Sequence, residues 1–375
     1  MLSFPRSICR KYISTWRDVD PNEIQVELMQ AGLSNKLFIL SVPNKEPSKA
    51  FLRLYGPLRQ TLAKIIDEQT ILEVLTEVKL TAKIYASFEE GRIEEFLNGQ
   101  MLTIDEFYTE PIYKKLISKL HLLHNLQKVK PKLLTLKGNE TAIISIIREW
   151  VVNVKNFYLK NPEKTKQFVE PVLKDSFVND FQDLSLPIVL EETEKCISAF
   201  HENKFNINIQ DNIFMDVVFC HSDIHSQNAL IDNDKLHLVD YEFSGFNYRA
   251  YELAVIFTEK TISYTVKEPP YFKYNWEAKH YPDETEIGHF IELYLLASQE
   301  YKSLATDKNY IRDCARFVLI MSLFAQLFSF YWALVVIQLK NESVHFDYFY
   351  FSYMKYKAYL SMKELLIEKK IISRY

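Results

Sequence analysis

A chain of 375 residues exceeds one average domain, and with 48% hydrophobic and 14% aromatic residues it carries ample material for a packed core, which excludes general disorder. A formal net charge of −4 gives no footprint for nucleic acid. The four cysteines, Cys9, Cys196, Cys220 and Cys314, form no CxxC pair and fit a reducing, cytoplasmic setting rather than a disulfide framework.

The first residues carry Arg6, Arg10, Lys11 and Arg17 with no acid before Asp18, a pattern open to a transit-peptide reading. They are not Ser-rich, however, and "ICRKYISTW" reads as a short amphipathic helix, which is the expectation here. There is no secretory apolar region. Next, "IQVELM", "KLFILSV" and "KAFLRLYG" are β-rich runs divided by turn residues. A helical stretch follows at about 58 to 79, then two more strand patterns, "AKIYASF" and "GRIEEFL". Together they predict a small sheet with one helix. Glycine is scarce, seven in the chain, and Gly32 falls in the first strand turn, where a positive φ or close approach to a ligand calls for it. Neither a GxGxxG nor a GxxxxGK[ST] loop is present.

Beyond Asn98-Gly99 the pattern turns helical, through "DEFYTEPIYKKLISKLHLLHNLQ", "ISIIREWVVNVKNFYL" and "PIVLEETEKCISAFHE". "VVFCH", "NALI" and "LHLVDYE" then read as three strands, and helices dominate from about 283 onward. Phe317 to Leu339 carries no charge over a span long enough to cross a bilayer. Ser322, Gln326 and Ser329 recur there at helical spacing, so the expectation is a buried helix with one face lining a pocket, not stable membrane insertion.

The densest chemistry lies in "CHSDIHSQNALIDNDKLHLVDYE", Cys220 to Glu242. His221 and His225 are four apart and suggest zinc, but a β-rich run precedes them and His237 sits in an alternating strand pointing elsewhere. The carboxylates fit better. Asp223 follows a strand end, Asn228 begins a strand, and Asp240 ends the next, so all three can converge at one end of a hairpin. An amide oxygen and a carboxylate suit magnesium, and a second carboxylate off the metal can orient a hydroxyl or accept its proton. Asp232 and Asp234, in "DNDK", are assigned to turn chemistry only.

This stretch resembles the phosphotransferase signature of the protein-kinase-like enzymes: apolar-His-x-Asp, then Asn before apolar residues, then apolar-Asp-x-Glu. The continuation "DYEFSGFNYRAYELAVIFTE" is similar to the choline/ethanolamine kinase motif, and "AGLSNKLF", "FLRLYG", "GRIEEFL", "YPDETEIGHFIELYL" and "FYWALVVIQ" follow the family's order over nearly the whole chain. The resemblance implies an α+β, two-lobed protein-kinase-like fold, with a nucleotide-binding lobe over 1–97 and a catalytic and acceptor-binding lobe over 98–375. It implies Asp223 as catalytic base with His221 supporting the catalytic loop, and Asn228, Asp240 and Glu242 on the Mg²⁺ of MgATP. For ATP it implies the loop of Gly32, Leu33, Ser34 and Asn35, then Arg53 on the phosphates, and a hinge of Glu95, Phe96 and Leu97. Either Asp67 or Glu68 would pair with Arg53; on pattern alone, Arg53 and Glu95 read equally well as solvated strand charges.

For the acceptor, the resemblance implies an acid and an aromatic cage at Glu259, Tyr264, Trp332 and Phe351, beside Asp223. The activity implied is a choline kinase making phosphocholine for phosphatidylcholine synthesis, and a homodimer is an admissible assembly. Several positions depart from the family pattern. Val335 stands for a second Trp, Phe351 for a Tyr, Glu252 for an Asp, Val255 for an Asn and Gln227 for a Gly. They leave ethanolamine or a methylated intermediate as alternative acceptors, and a catalytically silent kinase-fold binding protein as a rival of another class.

Overall fold

The computed structural model describes residues 3–29, 35–56, 67–174, 176–207, 211–339 and 346–375. Gly32, Leu33 and Ser34 of the expected nucleotide loop, and much of the expected helix at 58 to 79, lie outside the described residues. The chain forms two units, Met1–Met101 with Ala229–Val239, and Leu102–Asn228 with Asp240–Tyr375.

The first unit is built on an antiparallel sheet of β1 (Gln25–Leu28), β2 (Asn35–Ser41), β3 (Lys49–Tyr55), β4 (Ile84–Phe88) and β5 (Gly91–Glu95), in the order β1-β2-β3-β5-β4. Strand alternation sorts the side chains. Phe38 pairs with Leu52, Leu40 with Ala50, and Leu52 with Ile93, which puts this apolar set on one face. Helix α1 (Ser3–Tyr12) and the turn after it cover that face with Cys9, Ile13 and Trp16, and Trp16 Nε1 donates to the Pro47 carbonyl at 2.8 Å. The amphipathic-helix reading of "ICRKYISTW" holds for residues 8–12, where the apolar stripe has a sheet to bury against, but the helix ends at Tyr12 and Ser14–Trp16 form a separate short turn. Register puts Arg53 opposite Arg92 on the other face. Gly91 opens β5 because a Cβ there would lie 2.1 Å from the Arg53 carbonyl oxygen. Helix α2 (Glu68–Glu77) buries Ile71, Leu72, Val74 and Leu75, and Asp67 caps it, accepting from the Thr70 N–H at 3.0 Å.

The second unit is mainly helical. Its longer helices are α3 (Glu110–His124), α4 (Ala142–Val154), α5 (Pro162–Leu173), α6 (Leu186–His201), α7 (Arg249–Glu259), α8 (Glu284–Leu296), α9 (Lys308–Gln338) and α10 (Tyr348–Glu368). α9 contains the uncharged stretch, and 89% of its most apolar window is buried inside the protein. In the polar stripe, Ser322 and Ser329 donate back to the carbonyls of Leu319 and Ala325, one turn earlier, and Gln326 reaches across, accepting from the Tyr274 hydroxyl at 2.8 Å.

Two strands of this unit, β7 (Val217–Cys220) and β10 (Gly245–Tyr248), pair antiparallel. In the first unit, β6 (Gln100–Met101), β8 (Ala229–Asp232) and β9 (Lys235–Leu238) form a small sheet. β8 and β9 make a hairpin whose turn residues, Asn233 and Asp234, both have positive φ (44° and 69°), the geometry of a two-residue turn. β9 ends at Leu238, short of the expected Asp240. Asp240 takes φ 69°, which removes it from the ladder.

Candidate active site

β7 delivers the chain into the loop His221–Asn228. Ser222 turns it with φ 70°, a sparsely populated conformation for a residue with a Cβ. Glu252 of α7 holds that turn. Its carboxylate accepts the backbone N–H of His221 at 2.7 Å and of Ser222 at 3.0 Å. Asn247 on β10 adds a bond to the Ser222 hydroxyl at 2.8 Å, and the Ser244 hydroxyl donates to the His221 carbonyl at 3.2 Å. Buried His221 packs on the Tyr241 ring (centroids 4.3 Å apart), and its Nδ1 accepts from the Asp223 N–H at 3.3 Å. His221 therefore braces the loop from below. His221 and His225 do not share a helix; His225 lies on a turn with Nε2 3.7 Å from Asp223 Oδ2.

Asn228 joins the turn to the carboxylate. Its amide nitrogen donates to Asp223 Oδ2 and to the Asp223 carbonyl, both at 2.9 Å. The donor end is thus spent on Asp223, and the amide oxygen is the end left over. Ala229 pairs with Leu238 across the hairpin, so the strands that follow Asn228 and precede Asp240 run side by side.

The electrostatics show which acids gather here. Burial opposes charge on His225, but Asp223, Glu259 and Asp240 together draw its pKa upward. Burial also works against the Asp223 carboxylate, and His225, His221 and the Asn228 bond more than offset it, holding Asp223 below the usual range. Glu252 is the opposite case. Burial dominates and pushes it to about 7, although the two loop N–H bonds draw it down. His124 of α3 lies beside it, Nε2 3.9 Å from Glu252 Oε2, and burial keeps that imidazole well below its ordinary pKa.

Around Glu259 the second unit gathers aromatic rings. Tyr264 donates its hydroxyl to Glu259 Oε2 at 2.8 Å, and its ring lies 6.4 Å from that of His225. Phe351 packs edge-on against Trp332 (6.1 Å) and Phe272 (5.3 Å), and Phe346 lies 5.3 Å from Phe351. Val335 and Val255 are buried, and Gln227 is exposed. Glu242 follows Asp240 as a half-buried residue. The structure thus collects Asp223, His225, Asn228, Glu259 and Tyr264 in one place, with the Trp332 and Phe351 rings packed in the aromatic cluster that includes Tyr264.

The residues expected at the nucleotide lie in the first unit. Arg53 is buried and bonds Glu94 at 3.3 Å. Glu94 also pairs with Arg92, which in turn meets Glu68 at 2.6 Å. Of the two acids considered for Arg53, Asp67 is a helix cap and Glu68 enters this guanidinium cluster through Arg92. Burial disfavours the Glu94 charge, yet Arg92 and Arg53 hold its pKa below normal. Asn35, at the start of β2, is buried. Glu95 accepts the Lys83 N–H at 3.1 Å, and the Phe96 ring lies under Lys49 at 5.0 Å. Leu97 is half-buried. Arg92 and Lys355 escaped the reading of residue types. Arg92 and Glu94 stand two apart in "GRIEEF", so they share a strand face, and that alternation was the available signal.

The chain has clear relatives. A curated human protein named choline/ethanolamine kinase is 26% identical over 370 residues, covering 95% of this chain and 84% of that one. Among solved structures, a choline kinase from Cryptosporidium parvum superposes with a TM-score of 0.77 at 23% identity, over 98% of this chain and 97% of that one. A Plasmodium vivax ethanolamine kinase gives 0.66 at 19%, over 95% and 87%. These likenesses give the α+β fold of the protein-kinase-like phosphotransferases. With the choline/ethanolamine kinase family model matching residues 26–360, the chain is a member of that family and an ATP-dependent phosphotransferase.

Proposed function

We propose that the protein is a choline kinase, moving the γ-phosphoryl group of ATP to the choline hydroxyl to give phosphocholine and ADP for phosphatidylcholine synthesis. One observation carries the choice: Glu259 and Tyr264 stand beside the catalytic loop, within reach of an aromatic cluster containing Trp332 and Phe351. An acid ringed by aromatic faces suits a quaternary ammonium.

Asp223 orients the hydroxyl and takes its proton. Its depressed pKa favours alignment over strong basicity, which is what a loose phosphoryl-transfer transition state asks of it. Asn228 and Asp240, with Glu242 behind them, would hold the magnesium of MgATP, whose charge offsets that of the transferring group. The donor set fits: an unspent amide oxygen and carboxylates are hard ligands. In this reading Arg53, oriented by Glu94, contacts the phosphates. Asn35 closes the nucleotide loop, and Glu95, Phe96 and Leu97 form the hinge. His221 braces the loop. The protein works in the cytoplasm without membrane insertion, a reading supported by the buried α9 and four buried free cysteines.

A second acceptor has one observation in its favour. Val335 replaces a cage wall, which weakens the case for a bulky trimethylammonium and favours ethanolamine. ADP release with MgATP, measured in parallel on choline and ethanolamine, decides between them, with Asp223→Asn as the inactive control. The choline reading expects higher kcat/KM with choline. It also expects Trp332→Ala to lower choline kcat/KM by about 2- to 30-fold, the worth of one cation–π face, and ethanolamine use by less. Equal losses would count against the cage.

A further inference from the structure

The acceptor pocket contains a cation of its own. Lys355 lies on α10 one turn after Phe351, so the two share a helix face. Its side chain has no exposed surface. Nζ lies 3.5 Å from Glu259 Oε1, 5.0 Å from the Tyr274 ring centroid and 5.1 Å from that of Phe351. Tyr274, on a short strand, is fixed from behind by Gln326 of α9. Glu259 thus divides its carboxylate, with Oε2 on the Tyr264 hydroxyl and Oε1 on Lys355. The charges facing Lys355 are Glu259 of α7 and, farther off, Asp223 of the catalytic loop; the Tyr274 phenol completes the surround. Burial draws Lys355 below its ordinary pKa, and both carboxylates draw it back up.

We propose that Lys355 is a positioning residue for the acceptor: by pairing with Glu259 it holds that half-buried carboxylate aimed, so that an incoming ammonium meets a charge already in place. The proposal rests on the choline or ethanolamine reading of the pocket. The physical reason is preorganisation. Tyr264 holds one carboxylate oxygen and Lys355 the other, and a side chain fixed before the ligand arrives costs less ordering on binding than a mobile one.

The test is Lys355→Met, with Lys355→Arg as the conservative variant, read as acceptor KM against kcat. Without Lys355 the Glu259 carboxylate loses one of the two groups that hold it. Acceptor KM should therefore rise by about tenfold, the worth of one bond to a charged group, with kcat nearly unchanged. ATP KM should stay unchanged, and Lys355→Arg should restore the native acceptor KM. A fall in kcat with acceptor KM unmoved, or no rescue by Lys355→Arg, overturns the proposal. In a Glu259→Gln background, Lys355→Met should add no more than about a twofold change. That double variant leaves no unpaired charge, so it answers the question if the single variant does not fold; a large added loss there also overturns the proposal. Calorimetric titration with choline and with ethanolamine, without ATP, reads acceptor Kd directly. Lys355→Met should weaken it by about tenfold, and an unchanged Kd overturns the proposal. Native protein that binds neither amine refutes the acceptor reading itself, so the two failures are distinguishable.

Discussion

At the scale of single residues, Glu252 and Asp223 face opposite electrostatic fates a few ångströms apart. Asp223 is held ionised by His225 and Asn228, so its own titration falls at acid pH. Glu252 titrates near 7, and its carboxylate is what two loop N–H groups bond. A protonated carboxyl offers one good acceptor instead of two. With acceptor saturating, kcat should therefore fall as pH drops through about 7, although Asp223 remains charged. Glu252→Gln, which also presents a single acceptor, should have kcat lowered by about 10- to 100-fold and flat across that window. A native profile in the variant would refute the loop-anchor role. Stability moves the other way. Because the folded pKa of Glu252 lies above its unfolded value, the folded state binds a proton more readily between about 4.5 and 7, so the cost of its buried charge, full above pH 7, is relieved as pH falls.

At the scale of elements, the two arginines facing each other across β3 and β5 have different consequences. Arg92 is enclosed by Glu94 and Glu68, and removing it takes a guanidinium from two part-buried acids at once, although Glu94 keeps Arg53. Arg92→Met should destabilise the protein by about 3–5 kcal/mol in denaturant titration. Arg53→Met should instead raise ATP KM more than it lowers Tm, if Arg53 is the phosphate contact. Reversed effects would exchange their roles. The sheet and the site loop were legible because strand alternation, turn residues and the Asp223, Asn228 and Asp240 spacing are local properties. The charge cluster was not, since it depends on the register that sets Arg53 opposite Arg92. Lys355 was hidden for a similar reason. A lysine in an aromatic helix reads as solvated until its pairing with Glu259 of α7 is known. The end of β9 was misjudged because nothing in the sequence around Asp240 marks a positive φ.

At the scale of the molecule, the Arg53–Glu94–Arg92 cluster belongs to the first unit and the His221–Asn228 loop to the second, while the hairpin between Asn228 and Asp240 belongs to the first. MgATP at a hundredfold excess over Kd should stabilise the folded chain by about 2.7 kcal/mol, seen as a rise in Tm. Omitting magnesium, or Asp240→Ala, should remove most of the rise; an equal rise with ATP alone would argue against the metal assignment. Within the second unit, α7 has a wider consequence. Glu252 near its start fixes the catalytic loop, and Glu259 at its end meets Tyr264 and Lys355. Seven residues place the two acids on nearly one line, about 10 Å apart along the axis. The helix is a rigid rod buried over Arg249 to Thr258, so its ends cannot drift independently. On the proposed reading of Glu259 as the acceptor's acid, tilting this rod would retune the acceptor end and detune the loop together, which leaves the opposing wall of rings as the place where acceptor preference can change.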